Sequence, residues 1–129
     1  MIQKLINLLN FHIFFHCVGN IFLIRILAFE DLIKLLKSTK KRKLYNSDFM
    51  KISKRIKRAN QILGHNTCLN NSVCLYNYIK NDHQKIDFVI GVKNINNEFS
   101  SHSWVEVNNQ PVNEAYLTQY KEILRINNL

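Results

Sequence analysis

Apolar residues in the stretch CLNNSVCLYNYI, residues 68–79, recur at three- and four-residue steps: Leu69, Ser72, Val73, Tyr76 and Ile79. That spacing draws one stripe down an amphipathic helix and predicts a helix from Cys68 to about Asn81. Thr67 or Asn66 can cap it, because either side-chain oxygen can accept a backbone N–H of the first turn. A second stripe, Phe49, Ile52, Ile56 and Leu63, predicts a helix over NSDFMKISKRIKRANQIL. Ser47 or Asn46 is its expected cap, Asp48 suits the positive end of its dipole, and Gly64 ends it in a left-handed conformation. Upstream, residues 2–17 and 20–37 read as two helices broken at Gly19-Asn20, followed by a basic loop from Ser38 to Tyr45.

Beyond residue 84 the period changes to two. In KIDFVIGVK, Ile86, Phe88, Ile90 and Val92 alternate with Asp87, Val89 and Gly91, as expected of a mostly buried strand. Gly91 predicts a bulge or a close backbone approach. NINNEFSS reads as a polar turn. HSWVEV follows as a strand with His102, Trp104 and Glu106 on one face and Ser103, Val105 and Val107 on the other. Asn108-Asn109 suits a tight hairpin, since Asn tolerates positive φ, and Pro111 restricts the return strand to a short or edge position. AYLTQYKEILRI reads as a closing short helix. The expected architecture is α+β: N-terminal helices and one further helix packed on a small antiparallel sheet. At 129 residues the chain suits a single domain, 1–129, helical over 1–63 and helix-plus-sheet over 64–129.

Charge and cysteine content narrow the functional classes. The formal charge is +9, concentrated in KSTKKRKLYNSDFMKISKRIKRANQ. A nucleic-acid footprint would account for such a run, but it has few aromatics and belongs to no DNA- or RNA-binding module. A solvated helix face beside a basic loop is the expected reading, and no nucleic-acid partner is expected. The segment FHIFFHCVGNIFLIRILAF is greasy, yet His12, His16, Asn20 and Arg25 interrupt it. It reads as a buried or membrane-touching helix rather than a membrane span or a signal peptide. Cys17, Cys68 and Cys74 are too few and odd in number for a disulfide framework, which suits reduced thiols in the cytoplasm. No Cys/His cluster has zinc spacing, and His12 and His16 lack a third ligand. Neither metal nor cofactor is expected.

Cys68 is the cysteine with a chemical position. In the first turn of a helix, unsatisfied N–H groups and the dipole favour a thiolate, which a buried structural cysteine would not use. A sulfur nucleophile needs a base, and the base needs a partner to hold its ring. The chain supplies Cys68, then His102, then Asn113 or Glu114. Cys17 and Cys74 read as core residues, His65 as part of the turn before Cys68, and His83 as a surface residue. If Asn108-Asn109 is a two-residue turn, Asn113 shares the face of His102 and Glu114 points away; a longer loop or a bulge reverses this.

TCLNNSVCLYNYI, IDFVIGVKN and FSSHSWVEVNNQPVNE, in that order, resemble the leader peptidases of lasso-peptide maturation, a transglutaminase-like family also described as lasso-peptide biosynthesis B proteins. Members carry a Cys-Leu-x-x-Ser helix start, an Ile/Val-Gly-Val strand and a His-Ala-Trp-Val-Glu strand ending in Asn-Asp. LIRILAFEDLIKLL also resembles the family's N-terminal helix. The resemblance implies a papain/transglutaminase-like fold. It implies a cysteine protease with a Cys-His-acid triad that cuts the leader from a ribosomally made precursor peptide, with Cys68, His102 and Glu114 as catalytic residues. It further implies the split form, which works with a separate leader-recognition protein and hands the freed core to a lasso cyclase. Ser103 stands where the family has Ala, and Glu114 where it has Asp. Acyl transfer to an amine on the same fold, and a non-catalytic basic module for nucleic acid or a membrane surface, are the alternative functions.

Overall fold

The computed structural model describes residues 2–38, 48–112, 114 and 117–129, with side chains from residue 11 onward. The element order is α1 (Ile2–Ile26), α2 (Phe29–Lys37), α3 (Phe49–Ile62), α4 (Cys68–Ile79), β1 (Ile86–Ile95), β2 (Glu98–Val107), β3 (Gln110–Pro111), a 3-10 turn (Leu117–Gln119) and β4 (Lys121–Asn127). The strands form one antiparallel sheet in the order β3-β2-β1-β4. α4 packs against β1 and β2, and α2 against β4. Among the described residues the fold is thus α+β, four helices with a four-stranded antiparallel sheet.

The core lies between α4 and the two central strands. Val73, Tyr76 and Ile79 of α4 are buried with Phe88 of β1 and Val105 of β2, and the rings of Tyr76 and Phe88 lie 5.9 Å apart. Burial pushes the Tyr76 hydroxyl up to about 12, with the charge of Asp87 acting the same way. Ile13 and Cys17 of α1, Leu32 and Leu36 of α2, and Ile52 and Ile56 of α3 complete the layer. Cys17 and Cys74 are both buried free cysteines with sulfurs 3.1 Å apart. The Cys17 contact and burial push the Cys74 thiol far up, so it packs as a neutral group.

Three expected boundaries differ. α1 runs through Gly19-Asn20 without a break. Asn20 is buried, donates to the carbonyl of His16 at 2.8 Å and accepts from Asn77 of α4 at 2.7 Å. Its polar side chain is therefore satisfied inside the helix packing. The chain turns instead at Ala28, whose backbone is extended. The polar turn over NINNEFSS shrinks to Asn96-Asn97, both at positive φ, so β1 and β2 extend into it on either side. The closing helix is instead a 3-10 turn followed by β4. There Leu124 and Ile126 alternate inward beside Ile90 and Phe88 while Ile123 is exposed. β1 is buried on both faces over Ile86–Val89. β2 pairs with only one of its edges, and β4 pairs with the other. The cap expected at Ser47 or Asn46 and the loop expected from Ser38 to Tyr45 fall largely outside the described residues. Asp48 caps α3, accepting from Lys51 N at 3.2 Å.

Among the described residues no helix is long and apolar enough to cross a membrane. The basic residues Lys51, Lys54, Lys57 and Arg58 stand on the solvent side of α3.

Candidate functional site

The turn before α4 is built by its own polar side chains. Gly64 adopts φ +74° after α3. His65 N–H then returns to Asn60 O at 2.8 Å and Gly64 N–H to Gln61 O at 3.1 Å, the paired bonds of a left-handed helix end. Thr67 caps the next helix by accepting Asn70 N–H at 3.1 Å, which puts Cys68 at the first helical position, exposed. Beneath the turn runs a chain of amides. Buried Asn60 donates to Asn71 Oδ1 at 2.7 Å, and Asn71 donates to Asn66 Oδ1 at 2.8 Å.

Ser72 joins that helix start to the sheet. Its hydroxyl donates to Cys68 O at 2.7 Å and contacts the hydroxyl of Ser103 on β2 at 2.6 Å, in a buried contact. Since Ser72 spends its proton on the carbonyl, Ser103 is the donor to Ser72. His102 is the residue next to this bridge, so the bridge fixes the Cys68-bearing turn against the strand that carries the imidazole.

His102 is held by rings. Trp104 lies two residues on, the same side of β2, and stacks near it at 6.0 Å and 20° between planes. Tyr120 closes from the start of β4 at 5.5 Å. Room for both rings exists because residue 91, opposite His102 on β1, is glycine. A Cβ there would lie 2.9 Å from Trp104 Cη2 and from Tyr120 Cβ. The β1–β4 register also shifts between Ile90 and Gly91. Both uses expected of Gly91, close approach and bulge, therefore occur together.

Glu114 reaches the other side of the ring. Its Oε1 lies 3.3 Å from His102 Nε2. The Asn108-Asn109 turn is the two-residue form, with φ of 50° and 67°, and strict alternation from it would turn Glu114 away from His102. β3 ends at Pro111, however, and the last ladder-like bond is Val112 N–H to Val105 O at 2.9 Å. Glu114 lies beyond that last bond, with its carboxylate at the imidazole. Asn113, its rival, lies outside the described residues.

Cys68, His102 and Glu114 all line one open cavity of about 330 Å³, together with Asn66, Asn71 and Lys57. The other histidines are elsewhere. His65 lies 3.2 Å from an Arg25 nitrogen, His83 contacts Asp82, and His16 donates to Cys74 O at 3.1 Å. Among the described residues no cluster of three or more His, Cys, Asp or Glu could hold a metal. Sequence reasoning missed Asn60 and Tyr120. Ser72 enters it as a stripe position and as the Ser of the Cys-Leu-x-x-Ser pattern; its polarity on a face that has to be buried is the signal for its bridge to β2.

A helix-borne cysteine, a strand-borne histidine and an acid beside it thus line one cavity of an α+β fold. The chain belongs to the transglutaminase-like superfamily, whose family model matches residues 21–125. Cysteine-protease or acyl-transferase chemistry is general to that superfamily. Searches of curated proteins and of solved structures return no match.

Proposed function

We propose that this protein is a cysteine peptidase that removes the leader from a ribosomally made lasso-peptide precursor, working with a separate leader-recognition protein and supplying a lasso cyclase. The observation that carries the chemistry is the convergence of Cys68, His102 and Glu114 on one cavity, with the Glu114 carboxylate 3.3 Å from His102 Nε2. The order of motifs in the sequence supports the lasso substrate.

With Nε2 turned toward Glu114, the nitrogen left for the thiol is Nδ1. Cys68 sulfur attacks the scissile carbonyl and its proton passes to His102. The backbone N–H of Cys68, free of intrahelical partners at the first position of α4, is available to the developing oxyanion. His102 returns the proton to the leaving amine, and a thioester remains on Cys68. Glu114 holds the imidazolium in place. Cys68 is exposed, so water has access to the thioester. Water, giving its proton to His102, then cleaves the thioester, releasing the leader carboxylic acid and returning the thiol to Cys68.

The test is incubation with a lasso-type precursor peptide and a leader-binding protein, followed by mass spectrometry. Freed leader and core are expected. Cys68→Ala and His102→Ala should lose activity, and Glu114→Ala should slow it by about 10²-fold, the low end for acid–base groups. A Cys68→Ala variant that still cleaves would end the peptidase reading. An amide adduct instead of free core would convert it to acyl transfer.

A further inference from the structure

The outer face of α1 is apolar and uncovered. Phe11, Phe15, Phe22 and Ile26 are each about three-fifths exposed, at 61%, 58%, 64% and 61%, with Val18 at 40%. They follow one another at three- and four-residue steps, so they form a single straight seam on the side opposite the core residues Ile13 and Cys17. Between Phe11, where the described side chains begin, and Ile26 the spacing is also symmetric: Phe15 and Phe22 stand one turn inside, and Val18 and Gly19 fall at the middle.

Gly19 is the second observation. A mid-helix glycine weakens a helix by about 1 kcal/mol relative to alanine, and packing within this chain does not require it, because a Cβ there would meet nothing within 4 Å. A glycine at the midpoint of an exposed apolar seam suits the close approach of another helix from outside.

We propose that this seam is the interface of a two-fold symmetric dimer in which α1 packs antiparallel against α1 of a second copy, crossing at Gly19. In that arrangement Phe11 of one protomer meets Ile26 of its partner, Phe15 meets Phe22, and Val18 meets Gly19. The contact is isologous, as a closed dimer requires. A seam that reads alike in both directions lets the same residues meet across a two-fold axis. A bilayer is poorly served by the charge: Arg25 is the sole Lys or Arg from residue 11 to 26, and it lies 3.2 Å from His65, against the protein. Surface-bound helices carry cations along their polar flanks. The area is sufficient. With about 200 Å² per phenylalanine, the seam and its flanking Leu23 and Phe29 offer roughly 700 Å² per protomer, near the ~800 Å² of a standard interface.

The experiment is sedimentation of the whole chain at micromolar concentration with a thiol reductant, which prevents linkage through Cys68. A species of twice the 15.3 kDa chain mass is expected. Phe15→Asp with Phe22→Asp should give a monomer with an unchanged helical spectrum. Gly19→Ala, whose Cβ meets nothing within 4 Å inside the chain, should weaken the dimer at least tenfold. A wild-type chain that stays monomeric overturns the proposal, as does a dimer indifferent to both changes. Flotation of a monomeric chain with phosphatidylcholine vesicles, lost in the double variant, would assign the seam to a membrane instead. None of these outcomes bears on Cys68, so the dimer and the peptidase reading fail separately.

Discussion

Gly91 shows how one residue can determine a site through what it lacks. The positions of Trp104, Tyr120 and the His102 ring between them depend on the missing side chain. Gly91→Ala should displace both rings, since one of the crowded atoms is Tyr120 Cβ, which moves only with the backbone of β4. Overpacking of this size costs about 1–3 kcal/mol. The expected result is a lower urea midpoint and a changed emission from Trp104, the chain's one tryptophan. An alanine variant with wild-type midpoint and emission would show that β4 yields freely. Glycine within a strand pattern was legible as a close approach. Tyr120 as one of the approaching groups was not, because nothing local links residues 91 and 120.

At the scale of elements, Lys80 fastens two helix ends together. Its side chain is buried and its Nζ donates to Leu35 O at 2.9 Å, with Leu36 O at 3.5 Å. These are among the last carbonyls of α2, where Leu35 O also accepts the Ser38 N–H at 3.2 Å. A cation there also suits the negative end of the helix dipole. Burial works against the charge and lowers the Lys80 ammonium from its usual value. The net benefit is therefore smaller than that of an exposed cap. Lys80→Met keeps the hydrocarbon stem and deletes the donors. It should destabilise the fold by about 1–2 kcal/mol, toward the low end for a bond to a charged group, read as a shifted denaturant midpoint with an unchanged slope. No shift would mean that water replaces the ammonium at no cost. The helix ends themselves were readable: Thr67 and Gly64 act where their residue types predict. α1 was misread at Gly19-Asn20 because its continuity depends on Asn77, a partner distant in sequence.

Across the whole molecule, packing of α1 on α4 and of β4 on β1 should give stability two separate pH dependences. Burial lowers His16 from its ordinary imidazole value of 6.5, outweighing the Cys74 carbonyl that favours its charged form, and the neighbouring His12 and Lys80 lower it further. A lowered folded value means the unfolded chain binds the proton more readily, so this stability is full above 6.5 and is lost as pH falls below it. Glu106 and Glu122 act lower on the scale. Burial alone would raise Glu106, but Arg125 at 2.8 Å and the Trp104 indole outweigh it and hold it below 4.5. The Arg125 hydrogen bond holds Glu122 down as well. Their contribution is present above about 4.5 and lost beneath it. The melting temperature should therefore fall in two stages on acidification. His16→Gln should remove the upper stage and leave the lower. A single transition unchanged by that substitution would count against the account.

The sequence alone determined what local chemistry can decide. Asparagine pairs set the two hairpin turns, Thr67 and Gly64 bounded the helix carrying Cys68, and alternation placed His102, Trp104 and Glu106 on one face. Each depends on neighbours within a few residues, where backbone preference and side-chain capping act. The tertiary structure decided β4, the unbroken α1 and the approach of Glu114 to His102. β4 answers the open edge of β1, α1 answers Asn77, and Glu114 lies beyond the end of β3 at Pro111. These outcomes depend on groups brought together only by folding, and no local pattern encodes their separation.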